Sequence, residues 1–113
     1  MEIATVKIGT PLLDEFIVQL KQHLSFQYEN HSTDMYILAA EEYYIFNNSS
    51  QLNMVVAKKE GSTILVDAIG GAGGSGIFNI NYFSESEFIN SAIDAMRECC
   101  QNMNWAFELG ENK

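Results

Sequence analysis

The pattern of apolar residues and turn signals predicts strands along most of the chain. Residues 2–8 alternate between apolar and polar side chains, which is typical of a strand with one buried face. The polar stretch 28–34 predicts a loop. Further strands are predicted at residues 35–46, 51–58, 62–69 and 77–83, with a short final strand or a docked tail at 104–109.

Two amphipathic helices accompany these strands. The first is predicted from Pro11 to about Ser25, because Thr10 suits the cap and apolar residues recur at helical spacing. The second is predicted to begin at Ser84, which forms a capping box with Glu87. Apolar residues then continue at helical spacing beyond Met96.

The order of the elements defines the expected fold. Consecutive strands joined by tight turns form antiparallel sheets, and amphipathic helices need a shared apolar surface. We therefore expect residues 1–113 to form a single two-layer α+β domain. Its antiparallel sheet would have four to six strands with both helices on one face, in the order β-α-β-β-β-β-α with a possible final strand.

The middle strands are apolar on both faces, which bears directly on function. In residues 62–69, Val66 and Ala68 point one way while Leu65 and Ile69 point the other. Two helices of about 15 residues each cover one face of such a sheet, not two. We expect a second subunit, a ligand, or curling of the sheet to shield the other face.

Charge and processing signals restrict the partners and the compartment. The 113 residues include 15 acidic and 6 basic side chains, for a formal charge of -9, and the basic ones are scattered. Nucleic acids and anionic membranes are therefore unexpected partners. The first ten residues lack the basic start and apolar run of a secretory signal, and no apolar run is long enough to span a membrane, so we expect neither. The adjacent Cys99 and Cys100 fit two reduced thiols. We expect a cytoplasmic protein.

A glycine-rich segment is the best sequence candidate for a ligand site. It matches G-x-G-x-x-G, but the dinucleotide fingerprint needs a helix directly afterwards, and residues 77–83 alternate like a strand. Exposed backbone amides in such a segment can bind an anion. The candidate ligand-binding residues are Gly71, Gly73, Gly74, Ser75 and Gly76.

Other polar groups do not form a recognised catalytic or metal-binding pattern. Glu29, His31 and Asp34 lack metal-ligand spacing and fit a solvated loop. Glu41 and Glu42 are neighbours on a strand, so they face opposite sides and cannot act on one bond. We expect no catalytic residues, no metal and no cofactor.

Part of the sequence resembles a known family. A Glu-x-Tyr-Tyr-x-Phe strand, a glycine-rich connection and an acidic helix start are similar to those of small bacterial α+β domains, about 110 residues long, of unknown function. The resemblance extends from about residue 41 to the end of the chain and implies a shared fold without an activity. The matching positions are Glu41 or Glu42, Tyr43, Tyr44, Phe46, Gly73, Gly74, Gly76 and Phe88.

These observations favour a non-enzymatic role. We expect a binding or self-association domain that forms a homodimer through a sheet face. The alternative is a small-molecule or anion-binding domain with a pocket near residues 70–76, and an enzyme is the third possibility.

Overall fold

Six strands and two helices make up the part of the chain that the computed structural model describes, residues 1–44, 49–72 and 82–110. Their bounds are β1 Glu2–Gly9, α1 Leu13–Leu20, β2 Tyr28–His31, β3 Met35–Tyr44, β4 Ser49–Glu60, β5 Thr63–Ala72, α2 Tyr82–Met103 and β6 Ala106–Leu109.

The strands form one antiparallel sheet in the order β2-β3-β4-β5-β1-β6. A tight turn joins β4 to β5, and Gly61 adopts a positive φ of 61° there, which glycine tolerates best. β1 lies between β5 and β6, so the first and last strands are neighbours at one side of the sheet. The expected α+β fold, with an antiparallel sheet and two helices, is confirmed.

One face of the sheet packs against the helices to form the core. Strands β1, β3, β4 and β5 contribute alternate side chains to it, and both helices contribute their apolar stripes. Phe16 of α1 and Met96 of α2 are fully buried there. The sheet residues that belong to this hydrophobic cluster are Ala4, Val6, Ile8, Tyr36, Leu38, Val55, Ala57, Ile64, Val66 and Ala68.

Helix α1 is shorter than predicted. It spans Leu13–Leu20 rather than Pro11 to Ser25, and the side chain of Thr10 accepts from the Leu12 amide at 3.3 Å instead of capping the helix. After Leu20, the amides of Gln22 and His23 bond three residues back, at 3.1 and 3.0 Å. This tighter winding ends the helix and turns the chain toward the sheet.

Strand β2 replaces the loop predicted at residues 28–34. Tyr28–His31 pairs with β3 at the edge of the sheet, and all four side chains are exposed. An edge strand without a buried side chain carries no apolar alternation, so the pattern that predicts strands is missing from it.

Helix α2 begins earlier than its predicted cap. The structure starts it at Tyr82, which places Ser84 and Glu87 inside the helix and makes the predicted end of the 77–83 strand wrong. Serine and acidic residues are favourable anywhere in the first turn of a helix. They therefore indicate roughly where a helix begins but do not define its first residue. The remainder of that predicted strand, residues 77–81, lies outside the described residues.

Candidate functional site

The sheet face opposite the helices carries a continuous band of apolar side chains, which we call the open face. Its central row crosses five strands in register, because neighbouring residues in the row are cross-strand partners. The row consists of Ile3, Ile69, Met54, Ala39 and Tyr28.

More apolar side chains extend the open face on either side of this row. Val56 and Ile37 form a cross-strand pair next to it, and Leu65 and Met35 lie beyond them. These four side chains are partly exposed, whereas the alternating residues on the helix side are buried. Leu52, at the other end, is 38% exposed.

Polar groups lie within and beside the apolar band. Thr5 Oγ1 donates to Asp67 Oδ1 at 2.9 Å, and this pair lies between the central row and Leu65. Lys7 and Lys58 flank the end that contains Leu65. The open face therefore combines an apolar row with one hydrogen-bonded polar pair and charged residues at one end, a mixture that interaction surfaces also show.

A cavity of about 320 Å³ lies on the helix side of the sheet, between the segment after α1, strand β3 and helix α2. Phe26 and Phe88 supply aromatic surface, and Glu42 and Glu87 supply carboxylates. The other lining residues are His23, Leu24, Ser25, Gln27, Ala40 and Ser91.

A chain of buried amides leads to this cavity. Gln51 and Asn53 have no exposed surface, although they occupy core-facing positions of β4. Gln51 Nε2 donates to Asn53 Oδ1, and Asn53 Nδ2 donates to Glu42 Oε1 at 2.8 Å. These residues were not predicted from the sequence. The available signal was that Gln51 and Asn53 lie on the same face of β4 as the apolar Val55, where amide side chains are unusual.

The predicted glycine site is only partly within the described residues. Gly71 lies near the end of β5 with φ 80°, where the pairing with β4 is irregular. Its amide donates to Asn53 Oδ1 at 3.4 Å, so this N–H points into the buried amide chain. Gly73, Gly74, Ser75 and Gly76 lie outside the described residues.

Charged residues near β2 form a surface network. Lys21 Nζ donates to Glu29, and this hydrogen bond lowers the pKa of the Glu29 carboxyl. Glu29 Oε2 also lies 3.4 Å from His31 Nδ1, while His23 Nδ1 is 3.9 Å from Glu98 Oε2. Within residues 1–44, 49–72 and 82–110, no three His, Cys, Asp or Glu side chains are grouped closely enough for a metal ion.

The fold and surface define a class: a two-layer α+β domain in which both described helices cover one sheet face and leave the apolar open face opposite them. The chain belongs to a family of unknown function (DUF6054), whose pattern matches residues 13–100. The expected membership in a family of unknown function is thereby confirmed, and the match begins well before residue 41. No curated protein and no solved structure matches the chain. No helix of the described part is long and apolar enough to cross a bilayer.

Proposed function

We propose that this protein is a non-enzymatic, cytoplasmic self-association domain that forms a homodimer through the open face. The observation that carries the proposal is the unbroken apolar row from Ile3 to Tyr28, together with the packing of both described helices on the opposite face. Burying this row against a second copy removes apolar surface from water, which favours association.

The distribution of charge supports a second copy as the occupant. Among the described residues, Lys7 and Lys58 on the open face offset half of its four acidic side chains, Glu41, Glu60, Asp67 and Glu108. The face therefore carries a formal charge of about -2 from these residues at neutral pH, against -9 for the whole chain. Most of the repulsion between two copies is thus kept away from the contact.

The charges at one end of the open face largely cancel. Lys58 Nζ lies 3.7 Å from Glu60 Oε2, and Lys7 is the cross-strand partner of Glu108. The end that contains Leu65 is therefore close to neutral, so two copies can meet there without a large excess of like charge.

The size of the surface is sufficient for a specific contact. The open face is five strands wide, at about 4.8 Å per strand, and six residues long, at about 3.4 Å per residue, so its area is roughly 480 Å² per copy. Two such faces bury about 1,000 Å², which reaches the lower limit for a biological interface.

A pair of lysine substitutions tests this proposal. Ile69→Lys puts a charge at the centre of the open face. Val18→Lys puts the same charge on α1, at a side chain that is 59% exposed. Desolvating an unpaired lysine is unfavourable, so we expect Ile69→Lys to be monomeric and Val18→Lys to remain dimeric. Size-exclusion chromatography with light scattering measures both masses.

Circular dichroism serves as the folding control, since Ile69 is partly buried and the comparison of masses requires that both variants are folded. Equal masses for folded Ile69→Lys and Val18→Lys contradict the assignment of the open face as the interface.

Anion binding by the glycine-rich segment stays a prediction. It implies that Gly73→Val and Gly74→Val weaken the binding of inorganic phosphate while leaving the fold intact, because a side chain there obstructs the approach of the anion to backbone amides. Isothermal titration calorimetry with phosphate measures this, and unchanged affinity in both variants argues against the site.

A further inference from the structure

The cavity on the helix side combines features of a ligand site that self-association does not use. Its volume of about 320 Å³ is at the lower end of the range for small-molecule sites, so it suits one compact ligand. We propose that it binds a small organic cation, an amine with an apolar body, and that the Glu42 carboxylate accepts the ammonium group. Because the cavity and the open face lie on opposite sides of the sheet, the two proposals stand independently.

The buried amide chain holds Glu42 in place. Asn53 Oδ1 accepts from Gln51 Nε2 and from the Gly71 amide, so the Asn53 side chain can present only its Nδ2 to Glu42. Burying two amide side chains in an otherwise apolar core is unfavourable unless they are hydrogen bonded. Here their hydrogen bonds fix one oxygen of a carboxylate that lines the cavity, which is the preorganisation that a binding site needs.

The lining matches an amine better than an anion or a neutral polar molecule. Glu42 and Glu87 are acidic, and the described lining residues include no lysine or arginine. Phe26, Phe88 and Leu24 offer apolar and aromatic surface, which suits a hydrocarbon group and also the face-on approach of a cation.

Two other polar residues of the cavity are already engaged. The Gln27 side chain bonds to both backbone groups of Glu41, with Nε2 donating to the carbonyl at 3.2 Å and Oε1 accepting from the amide at 3.0 Å. His23 is close to Glu98 on α2. Glu42 therefore has the best-defined acceptor geometry in the cavity, since its second oxygen is not used by Asn53.

Titration with phenethylamine, which is cationic at neutral pH, tests the inference. We expect progressive amide shifts of Phe26, Ser91 and neighbouring residues in ¹H–¹⁵N spectra. The same titration with 3-phenylpropionate, which has a similar ring and the opposite charge, should leave these resonances in place.

Glu42→Gln should lower the affinity for phenethylamine at least tenfold, because the amide keeps the shape and the acceptor for Asn53 but removes the charge. Glu41→Gln is the matched control: it changes the net charge equally, one residue away, but on the open face. Ser91→Phe, at an exposed position of α2 that lines the cavity, provides a second variant that blocks the space and should also abolish the shifts.

Three outcomes overturn the inference. These are no amide shifts near the cavity at 5 mM phenethylamine, equal losses of affinity in Glu41→Gln and Glu42→Gln, or equally strong binding of 3-phenylpropionate. Equal losses would show that the overall acidity of the chain, rather than the cavity, attracts the amine.

Discussion

Tyr36 joins α1 to the sheet through its partly buried hydroxyl. Its Oη donates to Asp14 Oδ1 at 2.8 Å, and its ring stacks on His31 with centroids 4.7 Å apart. The hydrogen bond to Asp14, together with burial, raises the pKa of Tyr36 to about 12. The neutral phenol is therefore the form that the folded state stabilises.

Replacing Tyr36 by phenylalanine tests this contact. Since Asp14 remains exposed to water, we expect Tyr36→Phe to lower the free energy of unfolding by about 1 kcal/mol at pH 7. In the unaltered chain, the hydrogen bond of Tyr36 contributes to the free energy of unfolding below pH 10, and this contribution is lost as the pH rises toward 12. Urea denaturation at several pH values measures both effects. The difference between the two proteins should shrink across this interval, and a constant difference contradicts the assignment.

Cys99 and Cys100 are buried in the core, and their thiols are poorly ionised. Burial raises both pKa values, that of Cys99 to about 11. At pH 8 this leaves about 100-fold less thiolate at Cys99 than in a free thiol of pKa 9, and the thiolate is the reactive form.

Thiol labelling at pH 8 checks this consequence. We expect Ellman's reagent to react with the native protein at least 100-fold more slowly than with the protein in 8 M urea. Comparable rates in the two conditions would show that the thiols are accessible in the native state.

At the residue scale, the sequence predicted the core well and the polar network poorly. The buried positions of β1 follow directly from apolar alternation. Gln51 and Asn53 continue the core-facing side of β4 with amides, and nothing in the local pattern shows that Asn53 bonds to Gln51, Glu42 and the Gly71 amide. These contacts depend on how three strands are aligned, which a single sequence does not specify.

Strand β6 depends on a small residue in β1. A Cβ added to Gly9 would lie 2.8 Å from the Cβ of Ala106, too close for two side chains to coexist without movement. The Gly110 amide also donates to the Thr5 carbonyl at 2.7 Å, which secures the other end of the pairing. Glycine at position 9 therefore permits the edge strand to approach.

Gly9→Ala should lower the free energy of unfolding by about 1–3 kcal/mol through this overlap. Hydrogen exchange should show the loss of protection mainly at β6. The double variant Gly9→Ala/Ala106→Gly restores the space and should recover most of the stability. If the double variant is no more stable than Gly9→Ala, the contact with Ala106 is not the cause.

At the element scale, predictions succeeded where turn residues separate apolar segments. Strands β3, β4 and β5 were found close to their observed bounds because the turn signals at residues 47–50 and 59–61 divide segments rich in apolar residues. Strand β2 was missed because the edge position leaves all four residues exposed. Helix α1 was predicted to end several residues too late. Leu24 packs against the core although it lies beyond the helix, so its position continues the apolar spacing of the helix.

At the scale of the whole molecule, the two sides of the sheet differ in composition and in proposed role. The helix side contains the core, the buried amides and the cavity, whereas the open face presents an apolar row from Ile3 to Tyr28. The apolar character of both faces was predicted from the sequence. The cavity was not, because it is formed by the segment after α1, β3 and α2 together.

Self-association makes a direct prediction about the size of the native particle. Sedimentation velocity of the unaltered chain at 100 µM should give twice the chain mass of 12.7 kDa, with dissociation toward the single chain on dilution. A folded protein that sediments at 12.7 kDa throughout this range would contradict the account.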